Sequence, residues 1–87
     1  QGRIVEGVIV PGQPVVLLED VLTTGESVGF AAEILRSMGV GAITVRALVD
    51  RQHGAIERLA AWDVKATALF TLEQLIAAYE PPDAAQA

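Results

Sequence analysis

An adjacent carboxylate pair, Glu19-Asp20, followed by the hydroxyl-rich turn Thr23-Thr24-Gly25-Glu26-Ser27, holds the residues of this chain best suited to chemistry. Carboxylates accept hydrogen bonds from hydroxyl groups, whereas backbone N–H groups at the start of a helix donate to phosphate oxygens. A ligand with hydroxyls toward one end and a phosphate at the other, such as a ribose 5-phosphate, matches that order. Each feature also has a plainer account. Thr23 and Glu26 have the spacing of a capping box, Thr24-Gly25 that of a tight turn, and the acid pair could be the solvated end of a strand. The combination favours the ligand site, because a capping box has no use for an acidic pair upstream. Gly25 would also weaken an early helical turn by about 1 kcal/mol relative to Ala.

The elements that must position these residues follow from hydrophobic patterning. Val15-Val16-Leu17-Leu18 shows no polar alternation, which predicts a strand over 15–20 covered on both faces, as in a parallel sheet between helix layers. The acid pair then sits at its carboxyl end, the edge at which open α/β sheets bind ligands. Val28, Ala31, Ala32, Leu35 and Met38 predict a helix over about 27–38, stopped by Gly39. A second strand over 42–49 carries Ile43, Val45, Ala47 and Val49, so strand, helix and strand form a parallel unit with a right-handed crossover.

Asp50-Arg51-Gln52-His53-Gly54 follows at the same sheet edge as a second candidate cluster. Ile56, Leu59 and Ala60 predict a short helix, and Val64, Ala66, Ala68, Leu69 and Phe70 a third strand. A last helix over about 72–79 takes Thr71 as its N-cap. Met38, Trp62 and Phe70 are expected in the core, and Tyr79 where the last helix docks. Near the start, the apolar residues of 4–10 predict an edge strand that reverses direction through Pro11-Gly12-Gln13-Pro14. Residues 1–80 thus read as a single domain, and 81–87 as a tail that frays.

Composition narrows the function classes. Among 87 residues, 52% are hydrophobic and mean hydropathy is +0.43. That is more apolar than a small soluble domain requires, so part of the apolar surface is expected to meet something outside this chain. Eleven acids against six cations give a net charge of −5, which leaves no basic stripe for nucleic acid. The absence of cysteine removes disulfides, thiolate catalysis and zinc-thiolate sites, and fits a reducing compartment. No charged-then-apolar leader opens the chain, and no apolar stretch approaches the roughly 20 residues of a membrane span. A cytoplasmic protein without membrane or nucleic-acid partners is expected.

The stretch from Val15 to Ser27 resembles the phosphoribosyl pyrophosphate (PRPP) motif of the type I phosphoribosyltransferases. It has four apolar residues, an acidic pair, two apolar residues, two hydroxyl residues, Gly, one further residue and Ser. Val49-Asp50-Arg51-Gln52 with Gly54 soon after, and Ala68-Leu69-Phe70-Thr71-Leu72-Glu73-Gln74-Leu75 later, resemble the C-terminal half of orotate phosphoribosyltransferases. The resemblance implies a three-layer α/β/α fold with a mainly parallel sheet, present as an incomplete half with an antiparallel edge strand. It also implies transfer of the ribosyl 5-phosphate of PRPP to orotate, giving orotidine 5'-phosphate and pyrophosphate.

Under that resemblance Glu19 and Asp20 are the catalytic pair. Glu19, Asp20, Val21, Thr23, Thr24, Gly25, Glu26 and Ser27 bind PRPP, and Arg51 reaches the orotate carboxylate, a task that a guanidinium fork suits. The plainer account of Arg51 is a salt-bridging turn residue, with Asp50 as a strand-end cap. Mg2+ is carried on PRPP rather than by protein ligands, and the whole protein is a homodimer. His53 receives no role. The family's pyrophosphate loop and its mobile Lys- and His-containing loop are not found here, and Lys65 is the single lysine. A fragment that is inactive alone is therefore expected. Two alternatives stand beside it: a non-catalytic phosphoribosyl-binding or assembly module, and a type I phosphoribosyltransferase acting on a purine or uracil base. Arg51 disfavours the latter, since a neutral base would not require it.

Overall fold

A computed structural model describes residues 10–79. In chain order these form β1 (Val15–Leu22), α1 (Glu26–Ser37), β2 (Ile43–Asp50), α2 (Ala55–Ala61), β3 (Lys65–Thr71) and α3 (Leu72–Ala78). The strands make one sheet in the order β1-β2-β3, and both pairs are parallel. The expected α/β class and the two strand-helix-strand units are present. The antiparallel edge strand expected over 4–10, apart from Val10, the tail at 81–87 and the limits of the domain lie outside the described residues. The turn before β1 forms as expected, with Gln13 N–H donating to Val10 O at 3.1 Å and Gly12 at φ 83°. That is the conformation a type II turn asks of its third residue.

The core lies between the sheet and two of the helices. Leu17, Val45 and Ala66 share one row across the three strands and are buried. Val28, Ala32 and Leu35 of α1 meet that face with the spacing of a helical stripe, and Ala55 and Leu59 of α2 join the same cluster. A strand order that advances steadily, with right-handed crossovers, puts both connecting helices on the same side of the sheet. Two of the three expected layers are therefore present among the described residues.

The apolar run of β1 is covered on one face only among these residues, which corrects the reading of a strand covered on both. Val16 and Leu18 remain 53% exposed, as does Leu48 beside them, and Leu69 is 69% exposed. The pleat sends these side chains away from α1 and α2.

Three residues expected in the core are about half exposed: Met38, Trp62 and Phe70. Trp62 follows the end of α2 and lies against Gly29 of α1, where a Cβ would come within 2.2 Å of its Cζ3. One side of the indole is thus covered while the rest meets solvent. Phe70 shares the last rows of the sheet with Val49 and Val21, at the carboxyl edge. α3 starts directly after β3 and buries no residue, so Tyr79 is exposed rather than docked. Its start is nonetheless well specified. Thr71 Oγ1 accepts from Gln74 N–H at 3.0 Å and Gln74 Oε1 accepts from Thr71 N–H at 2.9 Å, a reciprocal capping box on the expected N-cap.

Candidate functional site

Leu22, Asp50 and Thr71 stand in one register row, so the three parallel strands end at a common edge. β1 runs past Asp20 to Leu22, which is buried. The chain then turns through Thr23 and Thr24 to Gly25, which adopts a left-handed conformation (φ 84°, ψ 3°) as the N-cap of α1. The N-cap is Gly25, which has no side chain to cap with, so the capping box that Thr23 and Glu26 could have formed is not made. Thr24 Oγ1 accepts only a long 3.4 Å bond from Glu26 N–H, and Gly29 N–H closes the first turn onto Gly25 O at 2.8 Å. The positive end of the α1 dipole is thus presented at the sheet edge.

Residues 19–28 line one continuous hollow over this turn. It includes Glu19, Asp20, Val21, Thr23, Thr24, Gly25, Glu26 and Ser27, every expected site residue except Arg51. Successive strand residues point to opposite faces. Accordingly Glu19, level with Ala47, is partly buried, while Asp20 is exposed with its Oδ1 accepting from Val21 N–H at 2.8 Å. The acid pair also borders a groove on the open sheet face, formed with Leu18, Arg46, Leu48 and Leu69. Thr23, Thr24 and Gly25 are partly buried, whereas Val21, Glu26 and Ser27 are exposed.

Arg51 begins the loop after β2 and is exposed. Its backbone N–H donates to Leu22 O at 2.9 Å, which brings the loop against the end of β1, although Arg51 is not among the residues lining the hollow. Asp50 Oδ1 accepts from Gln52 N–H at 2.9 Å, with Gln52 at φ 65°, so Asp50 closes the strand end as its plainer account held.

Two features had no signal in the sequence. Arg58 of α2 donates through Nη1 to Thr24 O at 2.9 Å and to His53 O at 3.0 Å, joining the two loops of the sheet edge. Gly25 lies so close to α2 that a Cβ there would sit 3.2 Å from Ala55 Cβ. No local spacing links residues that far apart in the chain. Among the described residues no group of three or more His, Asp or Glu side chains is arranged to hold a metal ion. No helix among them is long and apolar enough to cross a membrane.

No family model matches the chain. Curated relatives do match it. An orotate phosphoribosyltransferase of Natronomonas pharaonis is 42% identical over 76 residues, covering 87% of this chain and 44% of the relative. One from Sorangium cellulosum is 45% identical over 76 residues, covering 85% of this chain and 40% of the relative. The crystal structure of orotate phosphoribosyltransferase from Aeropyrum pernix superposes with a TM-score of 0.73 at 40% identity, over 77% of this chain and 38% of that one. The structure of Leishmania donovani UMP synthase superposes with a TM-score of 0.80 at 34% identity, over 91% of this chain and 18% of that one. The chain therefore spans less than half the length of the relatives it matches. Over the stretch that it does span, its sequence and its fold are similar to part of the orotate phosphoribosyltransferases.

Proposed function

We propose that this chain supplies the phosphoribosyl-donor site of an orotate phosphoribosyltransferase, an enzyme of pyrimidine nucleotide synthesis. The observation that carries the reading is the start of α1 behind a left-handed Gly25, at the carboxyl end of β1 and in one hollow with Glu19 and Asp20. The amides that open α1 and the helix dipole suit the 5-phosphate of PRPP, and the two carboxylates suit its ribose hydroxyls. As the bond from the ribose carbon to pyrophosphate breaks and the bond to the orotate nitrogen forms, positive charge develops on the sugar. Glu19 and Asp20 hold the hydroxyls and their field favours that charge. The turn at 23–27 anchors the non-reacting phosphate, whose binding energy is used to orient the reacting carbon. Arg51 pairs with the carboxylate of orotate from the neighbouring loop. Magnesium arrives on the diphosphate of PRPP and neutralises its charge there.

The test is an orotate-consumption assay of the whole protein with PRPP and Mg2+, beside calorimetric titration of the 87-residue chain. Whole protein should form orotidine 5'-phosphate and pyrophosphate and sediment as a homodimer. The chain alone should bind PRPP weakly and turn over nothing. Losing even two contacts that stabilise the leaving diphosphate, at roughly 3 to 4 kcal/mol each, slows the step by about four to six orders of magnitude. Consumption of a purine or uracil in place of orotate, or no binding of PRPP by folded protein, would overturn the reading.

A further inference from the structure

We infer that Arg58 is a positioning residue that ties the loop after β1 to the loop after β2, so that the donor and acceptor halves of the site are held as one body. The inference rests on the function proposed above. A single nitrogen, Nη1, donates to Thr24 O and to His53 O. Each of those carbonyls belongs to the peptide that leads into a left-handed glycine, Gly25 at the start of α1 and Gly54 at the start of α2. The peptide unit is planar and trans, so its C=O and N–H point in opposite directions. Drawing the Thr24 carbonyl toward Arg58 therefore turns the Gly25 amide away from it. The same holds for His53 and the amide of Gly54.

Two further contacts run between the same loops. Arg51 N–H donates to Leu22 O at 2.9 Å, and Ala55 stands close against Gly25, where a Cβ would come within 3.2 Å of the Ala55 Cβ. These two fix the loops' separation, while Arg58 fixes the orientation of the two peptides. Arg58 is exposed, and among the described residues its guanidinium donates to these loop carbonyls rather than to the core. Its removal should accordingly affect ligands more than folding.

The experiment compares Arg58→Ala and Arg58→Lys with wild-type whole protein. For Arg58→Ala the KM values for PRPP and for orotate should both rise, by roughly 3- to 10-fold each, the range for a charge-assisted bond discounted for solvent exposure. Thermal stability should change little. Lysine also offers one cationic nitrogen able to donate to two carbonyls, so Arg58→Lys should recover most of both losses. A rise in one KM alone, or in neither, would overturn the strut. Amide NMR resolves the question even if the protein turns over no orotate, in which case the proposed function fails on its own. The Gly25 and Gly54 amide signals should both shift in Arg58→Ala and return toward their wild-type positions in Arg58→Lys. A shift confined to one glycine would refute the coupling of the loops.

Discussion

Gly25→Ala tests the geometry of the phosphate turn most directly, and Gly12→Ala is its natural control. Both glycines sit at φ near +84° (84° and 83°), where an L side chain costs about 1–2 kcal/mol. They differ in surroundings. Nothing lies within 4 Å of a Cβ built on Gly12, whereas one on Gly25 meets Ala55 Cβ at 3.2 Å, Cα at 3.3 Å and O at 3.4 Å. Two of those atoms are helix backbone, so the strain is not relieved by a side-chain rotation and adds about 1 kcal/mol or more of overpacking. Gly12→Ala should therefore cost about 1–2 kcal/mol and Gly25→Ala about 2–3 kcal/mol. In a whole protein of ~150–250 residues this corresponds to Tm losses of about 2–8 °C and 4–12 °C. The site effect separates them further. Relieving the Ala55 contact must move the turn that aims the first amides of α1, so ribose 5-phosphate should bind about 10-fold more weakly to Gly25→Ala and unchanged to Gly12→Ala. Thermal melts and calorimetric titration of both variants read these quantities. If Gly25→Ala lost stability yet bound ribose 5-phosphate as wild type does, the amides of this turn would not be holding the phosphate.

Arg51→Ala should raise the KM for orotate while leaving that for PRPP nearly unchanged; losing a charge-assisted bond at an exposed position costs about 1–2 kcal/mol, and an unmoved orotate KM would return Arg51 to a turn residue. Thr71→Ala removes one half of the capping box of α3 and should cost about 1 kcal/mol in chemical denaturation, with Thr71→Ser restoring most of it. Gly29→Ala places a Cβ where the Trp62 ring now lies, so the indole must move outward. Trp62 is the single tryptophan, and its emission should shift to the red while stability falls by roughly 1–3 kcal/mol; an unchanged spectrum would contradict that packing.

Much of the architecture was written in local pattern, because the features concerned depend on near neighbours in the chain. Gly39 ends α1, and Thr71 with Gln74 begins α3, since caps are satisfied within one helical turn. Alternation of strands and helices with short connections imposed parallel pairing, and with it the common edge at Leu22, Asp50 and Thr71. The acid pair and the glycine turn were legible for the same reason: they lie in one contiguous strand-turn-helix, and the hollow they line needs no distant segment.

Tertiary structure decided whatever depended on what lies across from a residue. Apolar character alone set Met38, Trp62 and Phe70 in the core, but of the described helices only α1 and α2 add residues to that core, and these side chains end half exposed. The same asymmetry leaves Val16 and Leu18 uncovered, since a strand order that never reverses delivers both packed helices to a single face. Whether Thr23 and Glu26 formed a cap or left the helix open depended on backbone geometry at Gly25, which the neighbouring Ala55 helps to impose. Arg58 is the clearest case. Its spacing to Gly54 is ordinary for a helix surface, and only the folding of α2 against the start of α1 brings its guanidinium to Thr24, because a hydrogen bond between segments so far apart in the chain leaves no periodic trace in the sequence.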